Sequence, residues 1–398
     1  METFVHALAT RLPAGEVVVY TSDEPGADRY DAALPFPVIR DPSRTLLPTG
    51  RVTRRAAEIA RAHDCDRVWF GAAAPLAAMT PALRRQAGGI RRTVATTHGH
   101  EIWWARTPGA RRLLRRIGGS VDVVTYLGAY TRERIAPALG PQARLERLVP
   151  GVDAARFRPA GGTAEGTAPA LALARPAAPV ILCVARLVPR KGQDTLIRAL
   201  PLIRRTVPGA VLVLVGRGPD ERRLRSLARR HTEPGSVVFA GGLEHAATPA
   251  YYAAADVFAM PCRTRRAGLE AEGLGIVFLE AAAAGLPVVA GDSGGAPDAV
   301  LDGVSGTVVD GRSPAGVAAA VGRILRSPAA ERARTGAAGR RWVEEEWSWE
   351  PSAHRLARLL DPEETEQTED AVGPAGSVGF VGAQDTGEAA SPTHSPRR

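Results

Sequence analysis

The chain has 398 residues, of which 45% are hydrophobic, 5% aromatic and 23% charged, with a formal net charge of +9. That length holds two domains with separate cores, and the apolar share excludes a fibrous or wholly disordered chain. No apolar run approaches the roughly 18 to 20 residues that span a bilayer, and the opening METFVHALATRLPAGE lacks the basic-then-apolar order of a signal peptide, so a cytoplasmic protein is expected.

The charge is unevenly placed. The segment 361–398 holds eight acids and two arginines, which leaves +15 on the body before it. A body so basic suits nucleic acid, an anionic lipid surface or a nucleotide-sugar pocket. The scarcity of aromatics and the lack of an RNA-binding signature leave lipid and nucleotide. Cys65, Cys183 and Cys262 are far apart and lack CxxC spacing, so they read as thiols of a reducing compartment rather than a disulfide or zinc site.

In chain order, residues 1–12 predict a helix with Phe4, Leu8 and Leu12 on one face, followed by a strand at 16–20. A doubly wound domain ordinarily opens with a strand and a Gly-rich turn. Neither precedes this helix, so the first strand of the N-terminal domain is expected to be missing and the natural start to lie upstream. Further strands at 37–40, 67–70, 93–97 and 121–126 alternate with helix-compatible segments such as 53–63, which predicts a parallel sheet covered on both faces. Asp64-Cys-Asp66 matches a DxD metal motif but precedes a strand, and it reads as a polar turn.

Ligands of such sheets bind at the carboxyl ends of the strands, where His98-Gly-His-Glu101 falls. No further ligand cluster supports a metal at His100 and Glu101. Trp103 and Trp104 follow, and then a basic amphipathic segment in which Leu113, Leu114 and Ile117 alternate with Arg111, Arg112, Arg115 and Arg116. Such a segment suits an anionic membrane surface; its plainer reading is a solvated helix of an Arg-rich protein.

The stretch 159–179, rich in Ala, Gly and Pro, reads as an interdomain linker. A second domain opens with a strand at 180–185. Arg186, Arg190 and Lys191 then lead into a helix from Gln193, an arrangement that suits a pyrophosphate. Strands at 211–215, 236–240, 256–260 and 287–290 continue the sheet. Gly216-Arg-Gly-Pro219 is a tight turn at a strand end but not GxGxxG, and no acid follows at the spacing of a nicotinamide ribose site, which disfavours a dehydrogenase.

The most informative stretch is 261–297. Glu272 stands in a Gly-flanked loop and Glu280 on the short helix 276–284, which ends at Gly285 and Pro287. Eight helical positions span at most roughly 12 Å. That is too far to share one proton but suits gripping two parts of an extended ligand, with the free N–H groups of the helix start offered to an anion. Trp342, Trp347 and Trp349 with Leu356, Leu359 and Leu360 follow as a C-terminal crossover helix at 341–360, and the acidic tail 361–398 is expected to be disordered.

The pair Glu272 and Glu280 resembles the E-x7-E signature of family 4 retaining glycosyltransferases. The stretches 184–192 (VARLVPRKG), 214–219 (LVGRGP) and 97–104 (THGHEIWW) are similar to those of its GDP-mannose-dependent phosphatidylinositol monomannoside mannosyltransferases (PimB type). The resemblance covers roughly residues 1–360. It implies the GT-B fold, an α/β architecture of two Rossmann-like parallel-sheet domains facing across a cleft: an acceptor-binding domain at 1–158 and a nucleotide-sugar domain at 180–340. The implied activity is transfer of mannose with retention from GDP-mannose to a phosphatidylinositol mannoside, in α-1,6 linkage and without a metal cofactor. By that resemblance Arg186 and Lys191, assisted by Arg190, neutralise the departing diphosphate, and Gly216, Gly273, Ile276 and Val277 line the donor. Glu272 holds the hexose hydroxyls, Glu280 the ribose hydroxyls, and His98 contacts the hexose near its 6-hydroxyl. Trp103, Trp104 and the four arginines would meet an anionic glycolipid at the cytoplasmic face of the plasma membrane. Alternatives are a related family 4 transferase with another donor or acceptor, and an inactive nucleotide-sugar-binding protein.

Overall fold

In a computed structural model, which describes residues 2–13, 15–159, 178–361 and 377–381 (the last as backbone), the chain forms two parallel sheets. The first contains β1 (Val17–Ser22), β2 (Val38–Asp41), β3 (Cys65–Phe70), β4 (Arg92–Thr96), β5 (Val123–Tyr126) and β6 (Leu145–Arg147). The second contains β7 (Val180–Val184), β8 (Val211–Val215), β9 (Val237–Gly241), β10 (Val257–Met260), β11 (Val288–Gly291) and β12 (Gly306–Val309), in the order β12-β11-β10-β7-β8-β9. A strand covered on both faces needs apolar side chains at successive positions; β8, with the sequence VLVLV, is buried at all five.

The predicted strands are all present within a residue or two. The short β6 and β12 carry mixed sequences, LER and GTVV, and have no signal of their own. The linker 159–179 lies outside the described residues except at its ends.

One expectation is corrected for part of its span. Within the tail 361–398, expected to be disordered, Ser377–Val381 forms β13 in the centre of the first sheet, which runs β2-β1-β13-β3-β4-β5-β6; residues 362–376 and 382–398 lie outside the described residues. Val378 pairs with Val17 on one side and Arg67 on the other, and Val381 with Tyr20 and Phe70. The central slot expected to be empty is therefore filled from the far end of the chain. The apolar run SVGFV is too short to stand out in an acidic, Gly- and Ser-rich segment.

The same end of the chain braces the domain's outer face. Leu356, Leu359 and Leu360, on the helix Trp349–Leu360, share a core with Phe4, Leu8 and Leu12 of the first helix region. Arg340, on the helix Ala329–Glu346, donates to the carbonyl oxygens of Ala154, Phe157 and Ala283, which ties the end of the first domain to the carboxyl end of the helix Ile276–Ala283. A cation there also complements the helix dipole.

A chain ending at Asp361 tests the central strand. Without β13 the facing edges of β1 and β3 are left with unpaired backbone groups in mid-sheet. Its Tm is expected to fall by about 5 °C or more in a circular-dichroism melt; an unchanged Tm would remove β13 from the fold.

Candidate active site

The site begins at the carboxyl end of β7. Arg186 is exposed there, Arg190 and Lys191 follow in a single tight turn, and the helix Gln193–Arg204 starts without a side-chain cap. Lys191 is nearly out of water, and its Nζ lies 2.7 Å from Oε2 of the buried Glu272. This contact joins two of the donor-site side chains singled out from sequence. An ammonium carries three donors, so the pairing leaves Lys191 with capacity for a second anion.

Glu272 is held by the loop after β11. Its backbone N–H donates to Ser293 Oγ at 3.3 Å, and its carbonyl oxygen accepts from the Gly295 N–H at 2.9 Å. Gly294 makes this packing possible: its φ is +61°, and a Cβ there would meet the Glu272 carbonyl oxygen at 1.9 Å. Gly275, at φ +84°, then turns the chain into the helix Ile276–Ala283, whose start has no side-chain cap. Ile276 is exposed and Val277 half-buried at that start, and a Cβ on Gly275 would lie 3.6 Å from Glu272 Cγ, so the uncapped helix start lies beside Glu272.

Glu280 sits one turn further into this helix and is buried. Its Oε1 accepts from His245 Nε2 at 2.9 Å and its Oε2 from the Tyr252 hydroxyl at 2.8 Å. Burial first, and the charge of Glu280 second, hold the Tyr252 phenol well above its ordinary pKa, so it stays a donor. Neither partner was foreseen, because each lies 28 or more positions away in sequence.

Gly216 has a packing role of its own. Its φ is +137°, and a Cβ would meet the Ala185 carbonyl oxygen at 2.1 Å, so the ends of β7 and β8 close on each other.

Across the cleft stands the loop after β4. A Cβ on Gly99 would lie 3.7 Å from the Gly273 Cα, which places His98 and Gly99 directly against the Glu272 loop. The backbone N–H groups of His98 and Gly99 both donate to Oε2 of Glu101, which is fully buried. In HGHE the acid thus pins its own loop. Phe4 packs edge-on against the His98 ring, and His98 Nε2 donates to the Gly71 carbonyl oxygen at 2.6 Å, leaving Nδ1 as the ring's acceptor. Burial lowers the His98 pKa to about 4.

The remaining predicted residues lie elsewhere on the first domain. Arg111, Arg112, Arg115 and Arg116 are exposed on the helix Pro108–Gly118, Trp103 is half exposed and Trp104 less so. Leu114 and Ile117 point into the core with Leu113 packed beside them, so this helix has no free apolar face. Asp64, at a φ of +51°, ends the turn before β3, whereas Asp66, expected in that turn, is the second residue of the strand and pairs with Arg91. Among the described residues no three or more His, Cys, Asp or Glu side chains converge as a metal site.

Two parallel-sheet domains facing across a cleft, with cations and acids gathered where the strands end, define a glycosyltransferase of GT-B architecture. The family model "Glycosyltransferase Family 4" matches residues 1–156, and "Glycosyl transferases group 1" matches residues 172–342. A GDP-mannose-dependent alpha-(1-6)-phosphatidylinositol monomannoside mannosyltransferase of Mycolicibacterium smegmatis is 48% identical over 90% of this chain and 93% of its own. A protein of the same description from Mycobacterium tuberculosis is 49% identical over 87% of this chain and 90% of its own. The Corynebacterium glutamicum relative, described as acting on the monoacylated lipid, is 44% identical over 89% of this chain and 92% of its own. The Anabaena HepE structure in complex with UDP and glucose superimposes with a TM-score of 0.72 at 18% identity, covering 90% of this chain and 95% of that one; this likeness is one of fold. The chain belongs to glycosyltransferase family 4.

Two outcomes test this geometry. Tyr252→Phe leaves a buried carboxylate short of one donor and is expected to cost about 1–3 kcal/mol of stability in urea unfolding; full stability would show that the hydroxyl does not hold Glu280. The folded pKa of His98 lies below its unfolded value of 6.5, so the unfolded chain binds more protons between those values. The stability this contributes is complete above pH 6.5 and lost as pH falls towards 4, by up to about 3 kcal/mol. A histidine titration followed by NMR checks it, and a midpoint near 6.5 for His98 would contradict the burial.

Proposed function

We propose that the chain is a retaining α-mannosyltransferase that moves mannose from GDP-mannose to the inositol of a phosphatidylinositol mannoside, in α-1,6 linkage. The observation that carries this reading is the buried Lys191–Glu272 pair, set against the His98 loop, in a chain 48% identical over 90% of its length to a relative described as a GDP-mannose-dependent alpha-(1-6)-phosphatidylinositol monomannoside mannosyltransferase.

Departure of GDP leaves an oxocarbenium-like sugar, so the largest electrostatic task is to stabilise charge on the leaving diphosphate. In this reading Arg186 and Lys191, with Arg190 beside them and the open start of the helix Ile276–Ala283, perform it without a metal. Lys191 divides its donors between the diphosphate and Glu272, which fixes the carboxylate against the hexose hydroxyls. Glu280 is already bonded through both oxygens. An ionised carboxylate has about four acceptor sites, so it can still take the ribose hydroxyls, and it does so in an orientation set by Tyr252 and His245. A neutral His98 offers Nδ1 to the hexose 6-hydroxyl.

Glu272 is occupied by Lys191 and is poorly disposed to act as a covalent nucleophile. Retention then follows if the acceptor hydroxyl attacks from the face the diphosphate leaves and passes its proton to the departing phosphate. The acceptor is a membrane glycolipid in this reading, and the protein works at the inner face of the plasma membrane. No helix among the described residues is long and apolar enough to cross a membrane. Because Leu114 and Ile117 are committed to the core, contact with anionic lipid rests on the exposed arginines, at roughly 1 kcal/mol each, and on Trp103.

Transfer from radiolabelled GDP-mannose into a phosphatidylinositol mannoside tests the reading. Glu272→Ala is expected to lower kcat at least about a hundredfold, as for loss of a group acting at the reaction centre. Glu280→Ala is expected mainly to raise KM for the donor, about tenfold. Faster transfer from a different nucleotide sugar, or none from the folded wild type, would overturn it.

A further inference from the structure

A second concentration of arginines lies on the other side of the Glu272 loop. Glu280 and Tyr252 stand on the helices Ile276–Ala283 and Thr248–Ala253, and His245 in the turn His245–Ala247 just before the second. The opposite side opens on a basin of about 470 Å³, walled by the loop itself and by the starts of the helices Gln193–Arg204 and Pro314–Arg326. Its lining carries five guanidinium groups, Arg198, Arg263, Arg265, Arg266 and Arg312, and one carboxylate, Asp194.

The acids at hand are already shared. Asp194 is buried and meets Arg198 at 3.2 Å, Arg223 at 3.5 Å and Arg263 at 2.9 Å. Glu270 meets Arg265 at 3.2 Å and Arg266 at 3.1 Å. Arg312 donates to the Thr264 carbonyl oxygen and has no carboxylate within ion-pair distance among the described residues. Arg266 is held at a φ of +49°, which non-glycine residues seldom adopt, with 71% of its side chain exposed at the basin's rim.

Excess guanidinium groups converging on a water-filled hollow leave donor forks and positive charge to be satisfied by an anion, and their planar geometry fits phosphate oxygens. We propose that this basin is a second phosphate site, separate from the donor's diphosphate, that takes a phosphomonoester or phosphodiester. Arg106 of the first domain reaches its edge: a Cβ on Gly268 would lie 2.6 Å from Arg106 Nη1. Such a phosphate group can come from a bilayer headgroup or from a dissolved phosphate ester. The inference rests on this cluster and not on the identity of the sugar donor.

The test is binding, with GDP saturating so that the donor site is filled. Inorganic phosphate is titrated by calorimetry, and phosphatidylglycerol vesicles in phosphatidylcholine are used for co-sedimentation. Both are applied to the wild type, to Arg266→Gln/Arg312→Gln and to Arg111→Gln/Arg115→Gln. The basin variant is expected to bind phosphate at least tenfold more weakly, with GDP affinity unchanged and the helix variant like wild type. If the basin variant also loses vesicle binding, the site takes lipid headgroups; if vesicle binding falls only in the helix variant, it takes a soluble ester. Phosphate binding by the basin variant within twofold of wild type would overturn the proposal.

Discussion

Lys191 and Glu272 are held 2.7 Å apart with little water around either, and the cleft wall of the second domain is organised by that pair. Removing one partner of a buried ion pair leaves the other charge uncompensated, at a cost of roughly 3–5 kcal/mol. The loop after β7 and the loop after β10 are therefore bound to one another. The loop after β11 joins them through Ser293 and through a glycine that lets its backbone press on the Glu272 carbonyl. Three strand ends become one surface, and the start of the helix Ile276–Ala283 is fixed against it.

The opposite wall is stiffened by different means. Glu101 takes two backbone N–H groups of its own loop into a fully buried carboxylate, and the neutral His98 ring is wedged between Phe4 and the Gly71 carbonyl. Phe4 belongs to the core that the helix Trp349–Leu360 closes. The C-terminal part of the chain thus supports the first domain twice, with a helix on its face and with β13 in the middle of its sheet. Contacts between residues so distant in sequence carry a large loop-closure cost, which burial of apolar surface and the strand ladders must offset.

Arginine shows how little residue type alone decides here. Arg340 caps a helix and binds the end of the first domain, the arginines of the helix Pro108–Gly118 face solvent over a buried Leu114 and Ile117, and those around Asp194 crowd a shared acid. Composition announced a basic body; only packing sorted these side chains into caps, surface charge and a basin.

The sequence by itself determined the two-domain α/β plan, since strands covered on both faces must be apolar at successive positions and β7, β8 and β10 are. It also marked the candidate site: glycines around Glu272, three cations before a helix start and a histidine at a strand end are local patterns with local physical reasons. The tertiary structure alone decided what touches what. It paired Lys191 with Glu272, set Tyr252 and His245 on Glu280, turned Glu101 into a brace and brought β13 into the central slot. Apart from the Glu101 brace, which is local to its loop, each of these joins residues many positions apart, and side-chain periodicity, a property of neighbours, carries no record of them.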